Sequence, residues 1–557
     1  MQPRPPLSPF WLTAWAVTLS FCWVLPNHYQ PWLAFHSDVW CAVTALLIIF
    51  TLFIRLGGAF QVHWIGVLVA GLVALSWIQY LFGLVIFSGS AWVSSLYLIG
   101  FLLALLAGSR WESATPGQAA DGIFLAIGIA SILSVGLQLK QWLAVDGLEL
   151  WVMGGGADRP HGNLGQPNQL ATLLIWGVLA ALWAAVRQYI SLRVAVFLAG
   201  YLLFGVALTG SRSAWIALSV MAMLFIRWRH LWPSGNVTHL VCGLGVFFLF
   251  SILGIKFLQF DIYGSGGTMA ALDSTVRTST EIRPVAWQMF LVAIKESPWV
   301  GYGWDQIVIA QATLADAYPP LNGVFRYAHN MFLDLVLWFG IPIGLVAISS
   351  ICYWLFCCFK NVKNFEDAIL VALFAVVVVH SMFEMPLYYA YFLLPFGILA
   401  GSVNVRLVFS PVIFIGVRSV VTVAVFMSAL LALVVEEYVR IESSHYVLRL
   451  DWENIEHGYD KAPPNLVFLN QWYGYFKLAR FDNKTAANEE MLSWMRQVTM
   501  FFPNPDFYMK LATQLANNNR FEEASVELER MCNMVPHDVC VRAKKAFRLR
   551  ASKSDGS

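Results

Sequence analysis

Charge is what this chain has least of. Only 12% of its 557 residues are Asp, Glu, Lys or Arg, against about a quarter in an ordinary soluble domain. Hydrophobic residues make up 59% and the mean hydropathy is +0.64, which excludes both a soluble globular enzyme and a disordered chain. A formal net charge of +2 is no footprint for a polyanion, so no nucleic-acid partner is expected. Several motifs are missing as well. There is no GxxxxGK[ST] loop, so ATP does not act through that device, and no DxD or HExxH, the usual signals of a catalytic metal. The eight cysteines include no CxxC and no Cys/His ligand cluster. No metal site and no cofactor are expected. Cys22, Cys41, Cys242, Cys352, Cys357 and Cys358 lie in apolar stretches, where a buried free thiol is the plain reading.

What the chain has instead is long apolar runs and aromatics, with 24 Trp and 40 Phe. Aromatics suit membrane interfaces and the lining of apolar grooves. A spanning helix needs about 20 mostly apolar residues. That rule gives thirteen spans, near 9–25, 39–56, 64–86, 91–108, 121–141, 169–187, 193–210, 213–229, 237–258, 328–356, 367–384, 388–405 and 412–435. The first has no small-residue cleavage site and reads as a retained helix. With the N-terminus in the cytoplasm, the cytoplasmic connections carry Arg55, Arg110, Arg187, Arg193, Arg227, Arg229, Lys360, Lys363 and Arg406. The short outward loops 26–38 and 87–90 carry no Lys or Arg, as the positive-inside rule requires. The long segment 259–327 and the tail 436–557 then face outward.

Composition turns polar and helix-prone at Glu436-Glu437. Tyr508, Leu511, Ala512, Leu515, Ala524, Leu528, Met531 and Pro536 fit the frame of a tetratricopeptide unit near 505–538, although a generic helical hairpin fits too. Cys532 and Cys540 lie in this tail and can pair in an oxidising compartment. The expected fold is an all-α polytopic membrane protein of about 12–13 transmembrane helices. Its membrane domain is 1–435, with the outward loop 259–327, and its helical tail is 436–557.

Polar groups at the outward boundary are few and expensive, so each is a functional candidate. The segment GGGADRPHGNLGQPNQ at 154–169 forces irregular backbone. It supplies Arg159, His161, Asn163, Gln166, Asn168 and Gln169, side chains that bind sugar hydroxyls and phosphate oxygens. The competing reading is a re-entrant loop that satisfies its own backbone. Thr209-Gly210-Ser211-Arg212-Ser213 is a tight break between spans. Arg212 lies on the side where positive charge is disfavoured, and a guanidinium on a short turn suits a bidentate grip on phosphate; snorkelling to headgroups is the alternative. Arg277 and Arg283 in the long loop form a second candidate grip, against ion pairing to Glu281 or Asp273. His329 and Asn330 are expected in the first turn of a span, with Asp334 on the face of Asn330. Histidine titrates near neutrality and is the natural general base. Glu384, Tyr388 and Tyr389, in a turn between two spans, can orient a substrate or His329. Outward arginines without a metal motif point to a phosphorylated lipid that arrives already activated.

GNLGQPNQLA at 162–171, TGSRSAW at 209–215 and YAHNMFLDLVLWFGIPIG at 327–344 resemble the O-antigen ligase/polymerase superfamily. Within it, the chain looks most like the bacterial PglL-type protein O-oligosaccharyltransferases. The resemblance implies a bacterial inner-membrane enzyme with its active site and tail in the periplasm. Such an enzyme moves a preassembled glycan from undecaprenyl diphosphate to a Ser or Thr hydroxyl of an exported protein, such as a pilin. His329 matches the family's essential histidine and Arg212 a superfamily arginine. A glutamine, either Gln166 or Gln169, and a tyrosine, either Tyr388 or Tyr389, match other functional positions. The rivals are ligation to lipid A core, repeat-unit polymerisation, a multi-span transporter or flippase, and a scaffold displaying the tail. Transporters place ionisable groups near the bilayer midplane, whereas these residues gather at one face.

Overall fold

The computed structural model describes residues 8–155, 159–232, 236–263, 268–407, 409–483 and 486–554, with side chains described outside 259–281 and 548–554. Inside a bilayer every backbone N–H and C=O must find a partner within the protein, so apolar runs become helices. Each of the thirteen expected spans coincides with one. They are, in chain order with their neighbours, α1 (Pro9–Val24), α2 (Phe35–Leu56), α3 (Trp64–Leu81), α4 (Ser88–Ala114), α5 (Gln118–Trp142), α6 (Pro167–Val186), α7 (Leu192–Leu208), α8 (Arg212–Arg227), α9 (Val237–Tyr263), α10 (Thr268–Glu296), α11 (Ile307–Leu314), α12 (Met331–Lys360), α13 (Phe365–Ser381), α14 (Ala390–Arg406) and α15 (Val417–Trp452). Eight helices among the described residues are long and apolar enough to cross a membrane, and α1, α7 and α14 are shorter apolar helices. The protein is a multi-pass membrane protein. The expected long loop is largely helical, since α10 and α11 fall inside it. The tail forms α16 (Asn470–Ala479), α17 (Glu489–Phe501), α18 (Pro505–Asn517), α19 (Phe521–Met534) and α20 (His537–Ser554).

The chain divides into two compact units. The first comprises Met1–Gly71, Leu96–Ala271 and Ser350–Ala432. A two-stranded sheet pairs Phe60–Val62 antiparallel with Ile413–Ile415, Gln61 opposite Phe414. Here α4 and α14 cross very closely. A Cβ on Gly108 would sit 1.9 Å from the Ile398 carbonyl oxygen, and one on Gly401 2.1 Å from that of Leu105, so only glycine permits the crossing. Two of the arginines expected to orient the bundle, Arg406 and Arg187, are ion-paired in this unit. Arg406 contacts Glu112 at 3.2 Å, Glu366 at 2.8 Å and Asp367 at 3.0 Å. Arg187 contacts Asp121 at 3.1 Å and shares Glu366 at 3.5 Å.

The second unit comprises Leu72–Ser95, Leu272–Ser349 and Leu433–Ser557. Here α12 is broken at Gly340, whose φ is +75°. The carbonyls the break releases are taken up at once. Tyr302 N–H donates to Leu337 O at 2.7 Å, and Gly303 N–H to Trp338 O at 3.1 Å. The Gln79 amide also donates to Trp338 O, at 2.7 Å. A Cβ at Gly340 would lie 2.4 Å from the Trp299 carbonyl, so the break demands glycine. In the tail, α18 and α19 bury Tyr508, Leu511, Ala512, Leu515, Ala524, Leu528 and Met531, and Cys532 is disulfide-bonded to Cys540. The tail also grips the segment before α12. Met534 packs with Val308, Ala312 and Ala315, Leu321 N–H donates to Asn533 O at 2.9 Å, and the Asn533 amide donates to Ala315 O.

Arg406 is 11% exposed, Glu112 3% and Asp367 4%, so removing the guanidinium leaves two buried carboxylates without their cation, while Glu366 keeps Arg187. Arg406→Met is expected to destabilise the protein by about 3–5 kcal/mol. A thermal melt of the detergent-solubilised protein measures this, and an unchanged melting temperature would count against the network as a structural clamp.

Candidate active site

In the first unit the polar segment before α6 separates into a part that holds the backbone and a part that remains available. Asn163 is fully buried. Its amide donates to Val24 O at 2.7 Å and Trp151 O at 2.8 Å, and its Oδ1 accepts from Met153 N–H at 3.0 Å. Gln141, from α5, does the same for the next residues. Its Oε1 accepts from His161 and Gly162 N–H, and its amide donates to Met153 O and Gly162 O. For Asn163, then, the self-satisfying loop is the correct reading.

Downstream of it, an ordered chain of side chains leads outward from the buried interior. The Tyr391 hydroxyl donates to Gln169 Oε1 at 2.7 Å, and Gln169 Nε2 donates to Gln166 Oε1 at 2.7 Å. Tyr391 and Gln169 are buried, and Gln166 is half-buried at the end of the chain. Alongside it, the Asn168 amide donates to Glu384 Oε1 at 3.3 Å, and Tyr389 stacks on Tyr391 at 5.2 Å. Tyr388 closes the short 3-10 turn Pro386–Tyr388 just before. What holds these tyrosines is a residue the sequence reading did not single out. Asp38, buried in the first turn of α2, accepts from Ala390 N–H at 2.6 Å and from the Tyr97 hydroxyl at 2.7 Å. It supplies the cap that Tyr389 does not give to α14. A lone acidic residue at the start of an apolar run was the available signal.

Arg212 opens α8. Ser211 caps that helix, its Oγ accepting from Ala214 N–H at 3.4 Å, and Gly210 turns the chain with φ +59°. The fold brings a second arginine to this turn, as Arg159 Nε donates to Thr209 O at 3.3 Å. Both guanidinium side chains belong to exposed residues. A cation in the first turn works against the helix dipole, while an anion there is favoured by it. Two arginines at a helix N-terminus therefore suit a phosphate group.

In the second unit His329 lies one residue before the helix cap, not in the first helical turn. The helix begins at Met331, and Asn330 caps it, its Oδ1 accepting from Phe332 N–H at 3.0 Å and Leu333 N–H at 3.3 Å. His329 itself has φ +54°, a left-handed state costing about 1–2 kcal/mol for a residue with a Cβ. Its ring lies edge-on to Phe325, at 5.7 Å, and Tyr327, at 4.6 Å. Arg283 sits on α10 one turn before Trp287 and on its face, and the Trp287 indole donates to Ala328 O, next to His329, at 2.8 Å. The side chains of Arg277, Glu281 and Asp273 lie outside the described residues. Among the described residues, no three His, Cys, Asp or Glu side chains are grouped to hold a metal ion.

Comparison with known proteins agrees with these motifs. Residues 194–349 match the family described as O-antigen ligase, residues 160–183 that described as protein glycosylation ligase, and residues 368–547 that described as virulence factor membrane-bound polymerase, C-terminal. A general O-oligosaccharyltransferase of Acinetobacter baylyi is 29% identical over 523 residues, 92% of this chain and 90% of that protein. A ComP-specific O-oligosaccharyltransferase of the same organism is 30% identical over 250 residues, 44% of each chain.

His28, in the loop after α1, donates Nε2–H to Asn163 O at 2.5 Å. Burial holds its imidazole below the ordinary value, more strongly than the Asn163 bond raises it, with the neighbouring His161 and His36 pushing the same way as burial. The unfolded chain therefore takes up this proton at higher pH than the folded one. Stability is complete above the ordinary imidazole value, about pH 6.5, and is lost as pH falls below it. In His28→Gln the fall in melting temperature between about pH 7.5 and pH 5.5 should be smaller than in the wild type. An identical fall would mean that other groups carry the dependence.

Proposed function

Because this chain belongs to the O-antigen ligase/polymerase superfamily and is most like its protein-glycosylating members, we propose that it is a membrane oligosaccharyltransferase that transfers a preassembled glycan en bloc to Ser or Thr hydroxyls of exported proteins. The observation that carries this reading is the likeness to a general O-oligosaccharyltransferase along nearly the whole chain. The donor is undecaprenyl-diphosphate-linked oligosaccharide and the acceptor a protein such as a pilin. The enzyme resides in the bacterial inner membrane, with the active site and the tail after residue 435 facing the periplasm. The distribution of Lys and Arg between loops supports that orientation, as does the Cys532–Cys540 disulfide.

Chemically, the transfer is a single displacement at the anomeric carbon. Lipid diphosphate is a good leaving group, so what it needs is charge stabilisation. Arg212 and Arg159 supply it from one turn, with Arg277 and Arg283 from α10, and such groups act most strongly where water is scarce. His329 accepts the proton of the attacking hydroxyl. Gln166, at the accessible end of the amide chain, and Asn168 bind glycan hydroxyls, and Gln169 with Tyr391 fixes Gln166 in place. Asn330, Glu384, Tyr388 and Tyr389 orient the reactants. One displacement inverts the anomeric configuration. A second reading, ligation to lipid A core or polymerisation of repeats, is favoured by the match of residues 194–349 to the O-antigen ligase family.

The test is to combine the purified protein with lipid-linked glycan and either a pilin-type acceptor or lipid A core, then weigh the products intact. Glycan on the protein is expected, and glycan on lipid A core alone would select the second reading. His329→Ala should lose about 10²–10⁴-fold in turnover while binding donor like the wild type. Arg212→Ala should lose both donor binding and turnover, and Arg212→Lys should recover only part, because ammonium keeps the charge without the fork. Equal loss of donor binding in His329→Ala would make His329 a diphosphate ligand. Transfer should persist in excess EDTA. Loss restored by magnesium or manganese would mean a metal shares the arginines' task.

A further inference from the structure

His329 is held in a disfavoured backbone state, and the residue before it shows how. Ala328 is buried and gripped on both sides. Its N–H donates to Asp334 Oδ1 at 2.6 Å, and its carbonyl accepts from Trp287 Nε1 at 2.8 Å. One grip comes from α12 and the other from α10, so the backbone entering His329 is fixed from two directions. On the far side, Asn330 caps the helix and its carbonyl accepts from Asp334 N–H at 3.0 Å. Asp334 therefore closes the turn around His329 with its side chain and its main chain together.

Asp334 is 0% exposed, and its Oδ2 has no hydrogen-bond partner among the described residues. Leaving one oxygen of a buried carboxylate unpaired is costly, so general helix stability is a poor explanation for this residue. What Ala328 needs is one acceptor oxygen at the Oδ1 position.

We infer that Asp334 is a positioning residue which, with Trp287, clamps Ala328 and so aims the His329 imidazole. The inference rests on His329 being the proton acceptor. Asp334 need not exchange a proton with the substrate, and an amide at the same place preserves the contact.

The test compares kcat and donor KM for the full-length Asp334→Ala, Asp334→Asn, Trp287→Phe and His329→Ala proteins, using lipid-linked glycan and a protein acceptor. A reacting group displaced by about 1 Å can lose on the order of 10²-fold in rate. Asp334→Ala is expected to lose about that much in kcat with donor KM unchanged, and Asp334→Asn to return within about tenfold of wild type. Trp287→Phe should fall between them. Asp334→Ala combined with Trp287→Phe should lose little more than Asp334→Ala alone, because both changes break one clamp.

A folded Asp334→Ala enzyme with wild-type kcat overturns the inference, as does a rise in donor KM with kcat unchanged. So does an Asp334→Asn enzyme as poor as Asp334→Ala. If Asp334→Ala does not fold, Trp287→Phe decides: a lower kcat at constant donor KM supports the clamp, and wild-type kcat overturns it. Wild-type turnover by His329→Ala would refute the assignment of His329 itself and this inference with it, a result distinct from an active Asp334→Ala beside an inactive His329→Ala.

Discussion

A main-chain N–H or C=O shut away from water must be paired inside the protein, and the irregular parts of this structure follow from that constraint. Where α12 breaks at Gly340, the released Trp338 carbonyl accepts from Gly303 and from the Gln79 amide. Where the chain is irregular between α15 and α16, Glu437 of α15 accepts from the N–H groups of Val467, Phe468 and Leu469. The segment ahead of α6 is held by Asn163 and Gln141 in the same manner. At these three places a buried amide or carboxylate meets the irregular main chain.

The candidate residues of each unit use the same devices. Asp38 takes Ala390 N–H and so fixes the tyrosines beside Gln169. Asp334 takes Ala328 N–H and fixes the turn carrying His329. Polar groups held this way need no reorganisation when charge develops on a substrate, which is the condition for strong electrostatic stabilisation. There is a consistent division of labour. The most buried polar residues, Asn163, Gln169, Asp38 and Asp334, bind protein, whereas Gln166, Arg159 and Arg212 keep accessible surface.

The oxygens of Asp38 are both occupied, by Tyr97 and Ala390, whereas Asp334 Oδ2 has no partner among the described residues. The two carboxylates therefore differ in how fully the scaffold needs them. Asp38 is a satisfied cap. Asp334 carries an unmet cost beside the residue that most resembles a catalytic group.

The sequence by itself determined the spans and the residue types available for chemistry. Both are local properties: a run of apolar side chains in lipid has helix as its open choice, and a motif such as HNMFLD is read from adjacent residues. Its reach ended at partners. Nothing in the spacing of Arg159 and Arg212 announces that one turn holds both. Gln166 and Gln169 are indistinguishable until Tyr391 occupies one of them. His329 was expected inside the first helical turn, but Asn330 is the better cap, its short amide reaching Phe332 and Leu333 N–H, so the helix starts later and His329 is left in the left-handed state before it. Which buried donor meets which acceptor is decided by contacts between segments far apart in the chain, and those exist only once the helices have packed.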